Sequence, residues 1–465
     1  MSGVDAIFEP SSVILIGSSR IREKVGLSAP QLFRSVVYNM KKFFKGEVYV
    51  KDVNGEEGQN IEALPKVPEL AVLMLPPEKS IIEAEKCAKM GVKAFIIITG
   101  GYKDEQRREL LRLKEKYGVR ILGPNTVMGV INTANGLNTT FEKDVMPRKG
   151  NIAVISQSGG VGACILDWAC YYKIGISKFA FMGDKIDVDD VDLLRYFAKD
   201  KETKVICLYM EGVKDGRKFI EEARKIAGKK PTLALKGGIT QESAHRARSH
   251  TASMAGSDEI FDAALKKAGI IRVEDPEELL NAALALSKQP PMFGDNVAIV
   301  SNVGGPAILA ADAVARNNLK LARLSDKTKR KIESLYPGVD ATNPIDMIAD
   351  ARAERYRKVL ELVLADDNVD GILVINMLKS CFFEPEDAKV IPEVAAKYQN
   401  KPVVDVAAGG EDFELVYGVI GESSIPVYNL PEKGVKALKV LRTYGRIVEK
   451  VGLKNRGGLV NFNSF

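Results

Sequence analysis

Ser12-Val13-Ile14-Leu15-Ile16-Gly17, followed by Ser18-Ser19-Arg20, is a short unbroken apolar run that ends in a turn of small residues. An apolar run without polar alternation is what a parallel strand covered on both faces requires, and small residues beyond it let a phosphate-bearing ligand approach the backbone. Further strand candidates follow at residues 47–51, 70–75, 94–98 and 120–122, separated by helical stretches such as 105–117, where Leu110, Leu111 and Leu113 recur among dense charge. Such alternation predicts a doubly wound parallel sheet, whose ligands sit beyond the C-terminal ends of the strands. Those ends are Gly17-Ser18-Ser19-Arg20, Leu75-Pro76-Pro77, Thr99-Gly100-Gly101 and Gly123-Pro124-Asn125-Thr126. The first turn is not GxGxxG, and Asp52 lies well past the offset of about 20 residues expected of a ribose-binding acid, so NAD is a minor reading. Arg20, Arg22 and Lys24 suit a ligand carrying several phosphates.

Two more blocks repeat the design. Residues 151–155 form a strand, Ser156-Gln157-Ser158-Gly159-Gly160 a loop and residues 161–172 a helix; a Ser/Gly loop opening a helix offers free N–H groups and the positive end of the helix dipole to a phosphate. No Gly-Lys-Ser/Thr follows, so this is not a nucleotide P-loop. Strands are expected at 178–182, 205–210 and 232–236, with an acidic helix start at Asp187-Val188-Asp189-Asp190. After the linker Gln289-Pro290-Pro291, the strand 296–300, the loop Ser301-Asn302-Val303-Gly304-Gly305-Pro306 and an Ala-rich helix repeat the second block's start without a histidine. The expected domains are 1–130, 131–288 and 289–465.

Composition narrows the class. A chain of 465 residues with 46% hydrophobic and 28% charged residues is globular and long enough for about three domains. The net charge of +6 is dispersed and only one Trp is present, which argues against nucleic acid. Cys87, Cys164, Cys170, Cys207 and Cys381 stand singly, as buried thiols of a reducing cytoplasm do. Neither a signal peptide nor an apolar run of about 18 residues is expected, so neither is a membrane span. Abundant Lys, Arg and Glu fit a heat-adapted source.

Both histidines, His245 and His250, fall in the polar stretch 236–256, KGGITQESAHRARSHTASMAG. No paired spacing supports a metal site there. Histidine is a nucleophile near neutral pH, and a carboxylate on its other ring N–H would fix the tautomer and stabilise the charged ring. Neighbouring parallel strands would bring the Ser156–Gly160 loop, Glu211 and the histidine loop together at one edge. These are the requirements of a transient phosphohistidine, with His250 preferred to His245, which has Arg246 and Arg248 beside it. A surface turn and an ordinary strand-end glutamate are the competing readings.

The ordered set SSVILIGSSR, ILGPNTVMGVINT, GNIAVISQSGGVG, KVICLYMEGVKDGRKF, SHTASMAGSDEIFDAALKKAGIIRV, VAIVSNVGGPAILAADA, NPIDM and IPVYNLPEKGVKAL resembles the alpha subunits of ADP-forming acyl-CoA synthetases, relatives of succinyl-CoA synthetase. The resemblance implies an α/β chain: a Rossmann-like CoA-binding domain, then two flavodoxin-like ligase domains. It implies conversion of acyl-CoA, ADP and phosphate to acid, ATP and CoA through an acyl phosphate and a phosphohistidine at His250, braced by Glu211. Ser156, Gln157, Ser158, Gly159 and Gly160 would bind phosphate. Gly17, Ser18, Ser19, Arg20, Lys24, Pro76, Thr99, Gly100 and Asn125 would line the CoA edge. ADP/ATP and magnesium would belong to an ATP-grasp beta subunit in an α2β2 assembly. Two departures stand out: Ala252 replaces the glycine of Ser-His-Thr-Gly, and Val50-Lys51-Asp52-Val53-Asn54 replaces Val-Asn-Pro-Lys, leaving Lys51 as a candidate for the lysine contact. The rival reading is a CoA-binding scaffold of the same fold without catalysis.

Overall fold

The computed structural model describes residues 3–20, 29–53, 61–240, 242–243, 258–380 and 382–452. Two compact units divide the chain, Met1–Leu280 and Asn281–Phe465.

The first unit holds two sheets. In the first, β1 (Ser12–Gly17), β2 (Glu47–Asp52), β3 (Leu70–Leu73), β4 (Ala94–Ile97) and β5 (Arg120–Leu122) run in the order β2-β1-β3-β4-β5, all parallel. The unbroken apolar run of β1 has the expected cause. Val13 and Leu15 enter one buried cluster with Phe33, Val36 and Met40, while Ile14 and Ile16 enter another with Ala84, Leu110 and Leu113. Side chains of successive strand residues point to opposite faces, and here both faces are covered by helices.

The second sheet contains β6 (Val130–Asn132), β7 (Leu137–Asn138), β8 (Lys149–Ser156), β9 (Ile176–Phe181), β10 (Val205–Met210), β11 (Thr232–Lys236) and β12 (Ile271–Val273), in the order β12-β11-β10-β8-β9-β6-β7. β6 and β7 pair antiparallel at one edge. The parallel members keep the connectivity of the first sheet, with the initial strand between the second and third.

The second unit repeats it again. β13 (Asn296–Ser301), β14 (Lys320–Leu321), β16 (Gly371–Asn376), β17 (Val403–Ala407) and β18 (Val427–Tyr428) run β14-β13-β16-β17-β18, and β15 (Ile345–Asp346) adds to β13. In this order the chain reverses direction across the sheet between its first and third strands, which opens a crevice at their C-terminal ends. The three crevices lie at β1/β3, β8/β10 and β13/β16. No helix among the described residues is long and apolar enough to cross a membrane.

Candidate active site

Strand order places Gly17, Pro76, Thr99-Gly100 and Asn125 along one edge of the first sheet. A Cβ on Gly17 would lie 2.2 Å from the Phe33 ring, so glycine is what lets the helix Ala29–Phe43 pack there. The turn beyond it is tied down: Ser18 Oγ donates to the Arg20 carbonyl at 2.9 Å, and the Ser19 N–H donates to both carboxylate oxygens of Asp52 at 3.2 Å. Thr99 Oγ1 donates to the Leu75 carbonyl at 2.7 Å, joining two strand ends. Asn125, with φ 63°, donates its N–H to the Thr99 carbonyl at 2.9 Å. Lys24 lies outside the described residues. Lys51 is committed elsewhere, its ammonium lying 2.6 Å from Glu83 Oε2 on the helix Pro77–Met90.

At the second crevice Ser158 caps the helix Gly159–Tyr171 by accepting from the Val161 N–H at 3.4 Å. Ser156 Oγ donates to the Ser158 carbonyl at 2.6 Å and fixes the loop. Gly159 and Gly160 occupy the first helical positions, where N–H groups have no acceptor one turn back and form the positive end of the dipole. Gln157, expected from the sequence to bind phosphate, is engaged within the protein. Its backbone N–H donates to the Tyr209 carbonyl at 3.1 Å, and its side-chain amide is saturated by Asp190, Glu211 and Gly212.

Glu211 follows β10, in the middle of the sheet. It is 8% exposed, its Oε1 accepts from the Tyr209 hydroxyl at 3.3 Å, and its Oε2 is buried with no donor among the described residues. Burial, then the Glu211 charge, pushes the Tyr209 hydroxyl up to about 12. On the neighbouring strand end Lys236 is buried, donates to the Gly237 carbonyl and sits 5.1 Å over the Phe261 ring. Burial lowers its ammonium below the usual lysine range, against the raising charges of Asp258 and Glu211. Asp258, which opens the next helix, accepts from Arg272 at 3.0 Å through Oδ2, while Oδ1 is buried without a partner among the described residues. His245, His250 and Ala252 lie outside the described residues, between these two carboxylates in the chain.

Sequence reasoning read residues 187–190 as an acidic helix start, which the helix Asp190–Lys199 bears out, but it missed that the segment 183–190 connects the two sheets. The Asp184 and Ile186 N–H groups donate to the carbonyls of Pro124 (2.8 Å) and Gly123 (3.2 Å), and Asp187 receives Arg120, Lys114 and the Ile121 N–H. Burial opposes charge on Asp187, but Arg120 and then Lys114 outweigh it and hold the carboxyl below its usual range. A run of four residues with three aspartates was the available signal; only Asp189 is the helix cap, accepting from the Val191 and Asp192 N–H groups.

The third crevice has a related, smaller clamp and a different chemistry. Asn302 exchanges two hydrogen bonds with the Met377 backbone, both 3.1 Å. Register equates Met377 with Glu211, each lying two residues beyond the partner of the loop serine. A thioether therefore stands where the second sheet has a carboxylate.

Three families match the chain: the CoA binding domain over residues 11–132, the succinyl-CoA ligase like flavodoxin domain over 149–286 and the ligase-CoA domain over 297–452. Acetate–CoA ligase [ADP-forming] II subunit alpha of Pyrococcus furiosus is 38% identical, covering 98% of this chain and 100% of that one. The chain belongs to the ADP-forming acetate–CoA ligase alpha subunits. Acetate–CoA ligase [ADP-forming] I of Archaeoglobus fulgidus is 35% identical over 97% of this ligase subunit, which spans 65% of that longer protein. The dinucleotide-forming acetyl-coenzyme A synthetase 1 of Ca. Korarchaeum cryptofilum, solved in complex with phosphate and ADP, superposes with a TM-score of 0.86 at 30% identity, covering 98% of this ligase subunit and 99% of that chain. The alpha designation of its relatives implies a partner subunit for this acid–thiol ligase, and the first domain makes it a user of CoA. An NAD-dependent oxidoreductase is set aside.

Proposed function

We propose that this alpha subunit carries a phosphoryl group on His250 during conversion of acyl-CoA and phosphate to acid and CoA. Phosphate oxygen attacks the thioester carbonyl and CoA leaves as thiolate, giving an acyl phosphate. Imidazole Nε2 then attacks phosphorus and the carboxylate leaves; an ADP oxygen finally takes the phosphoryl group from nitrogen. The observation that carries the reading is Glu211 Oε2, a buried carboxylate oxygen without a donor among the described residues, one strand from the root of the histidine loop. An imidazole N–H would satisfy it and stabilise the positive ring. The N–H groups of Gly159 and Gly160 are suited to the phosphate oxygens. The edge from Gly17 to Asn125 is suited to CoA. We assign ADP and magnesium to an ATP-grasp beta partner in an α2β2 assembly, the domain limits to 1–130, 131–288 and 289–465, and the location to the cytoplasm. The unpaired cysteines, all four of those described being free, support that location.

Incubation of the complex with acetyl-CoA and radiolabelled phosphate should give acid-labile, base-stable label on this subunit. Label that persists in His250→Ala would remove the assignment. Labelling absent from the intact complex with every acyl-CoA offered would favour a scaffold.

A further inference from the structure

Gln157 is the most fully engaged polar side chain near the site. Its Oε1 accepts from the N–H groups of both Glu211 (2.7 Å) and Gly212 (3.1 Å), and its Nε2 donates to the Gly212 carbonyl (2.8 Å) and Asp190 Oδ1 (2.6 Å). An amide has two donor hydrogens and two acceptor lone pairs, so nothing remains for a ligand. Asp190 holds the Lys185 ammonium through its other oxygen at 3.0 Å, and that ammonium also donates to the Gly212 carbonyl at 3.2 Å. Gln157, Lys185 and Asp190 are all buried, at 5%, 7% and 4% exposure. Lys185 has φ 52°, a left-handed conformation that is strained for a non-glycine residue and persists where surrounding bonds over-determine it.

We propose that Gln157, held by Asp190 and Lys185, is a positioning residue for Glu211: it fixes the 211–212 peptide and so the point from which the brace of the phosphohistidine projects. The reading rests on the assignment of Glu211 proposed above. A carboxylate that must meet one ring nitrogen needs placement within about 0.5 Å, which packing and supporting hydrogen bonds together supply. The clamp spans the crevice from β8 to β10 and so ties the phosphate loop directly to the brace. In the third sheet the shorter Asn302 reaches only the Met377 peptide, where there is no carboxylate to place.

The test is a double-mutant comparison in the complex with its partner subunit. Gln157→Asn and Asp190→Asn are made alone and on the Glu211→Gln background. Single-turnover labelling by acetyl-CoA and radiolabelled phosphate, the KM for acetyl-CoA and the melting temperature are measured. A positioning role predicts about a tenfold loss of labelling rate from each substitution alone, KM within about twofold, and less than about twofold further loss on the Glu211→Gln background. Equal losses on both backgrounds would make the clamp merely structural and overturn the proposal. If Gln157→Asn melts early, Asp190→Asn, which keeps the acceptor for Gln157, carries the comparison. Full labelling by Glu211→Gln alone would remove the brace itself, and with it both readings; that result is distinct from additivity.

Discussion

The Tyr209 hydroxyl donates to Glu211 Oε1 at 3.3 Å, so one oxygen of this carboxylate is held by its own strand while the other is left for a partner. Removing the hydroxyl in Tyr209→Phe should lower the single-turnover labelling rate about three- to tenfold, the size of one ordinary net hydrogen bond, as suits a long 3.3 Å contact. Because Tyr209 is pushed up to about 12, its proton stays in place across ordinary assay conditions. The ratio of wild-type to variant rate should therefore be flat over roughly pH 6 to 9. A ratio that changes across that range, or no loss at all, would separate Tyr209 from the carboxylate's function.

Gly237 stands against the same hydroxyl. A Cβ there would come within 2.3 Å of Tyr209 Oη and 3.0 Å of its Cζ, so Gly237→Ala must displace the ring. We expect it to lower the melting temperature by several degrees, as a strained core substitution of about 1–3 kcal/mol does. Adding Tyr209→Phe removes the nearest clashing atom. The double variant should melt above Gly237→Ala alone; a lower melting point would place the strain elsewhere.

The fold was legible because its signal is local. The apolar runs of β1, β8, β10 and β13 are each covered on both faces, and that requirement is written in consecutive residues. The strand ends Gly17, Pro76, Thr99 and Asn125 followed from the same runs, and parallel order placed them on one edge. The internal bonds of Gln157 were not legible because its partners are 33 to 55 residues away, and an amide in a Ser/Gly loop looks like a ligand donor until those partners are seen. A still longer separation hid Asp187, whose partners lie 66 to 73 residues earlier. His250 was singled out by chemistry and by motif, and its loop falls outside the described residues.

Asp405 in the third sheet is fully buried; Asn376 Nδ2 donates to its Oδ1 at 2.7 Å, while its Oδ2 and the Asn376 Oδ1 have no partner among the described residues. Burial raises its carboxyl from 3.8 to about 7, against the lowering bonds from Asn376 and the Val406 N–H. The folded state therefore keeps a proton that the unfolded chain has released between those limits. The contribution is fully favourable below about pH 4 and is lost as pH rises through about 7, a change of roughly 4 kcal/mol. Asp405→Asn cannot lose that proton. Thermal unfolding should show it melting above the wild type at pH near 8 and converging with it near pH 4. Parallel curves for the two proteins would show that Asp405 is not the titrating group.

Gly159 allows the phosphate seat to be tested without dismantling it. Proline is accepted at the first position of a helix, where its missing N–H would have had no acceptor one turn back. The residue before a proline must be extended, and Ser158 already is, with φ −117° and ψ 128°. A Cβ on Gly159 meets Val127, Met128 and Phe181 at ordinary contact distances of 3.5–3.6 Å. Gly159→Pro should consequently keep its melting temperature within a few degrees while deleting one N–H from the helix start. If that N–H binds phosphate, the phosphate concentration needed for half-maximal labelling should rise roughly ten- to a hundredfold, the value of a charge-assisted hydrogen bond, with the KM for acetyl-CoA unchanged. A normal phosphate dependence in a folded Gly159→Pro protein would move the phosphate away from this helix.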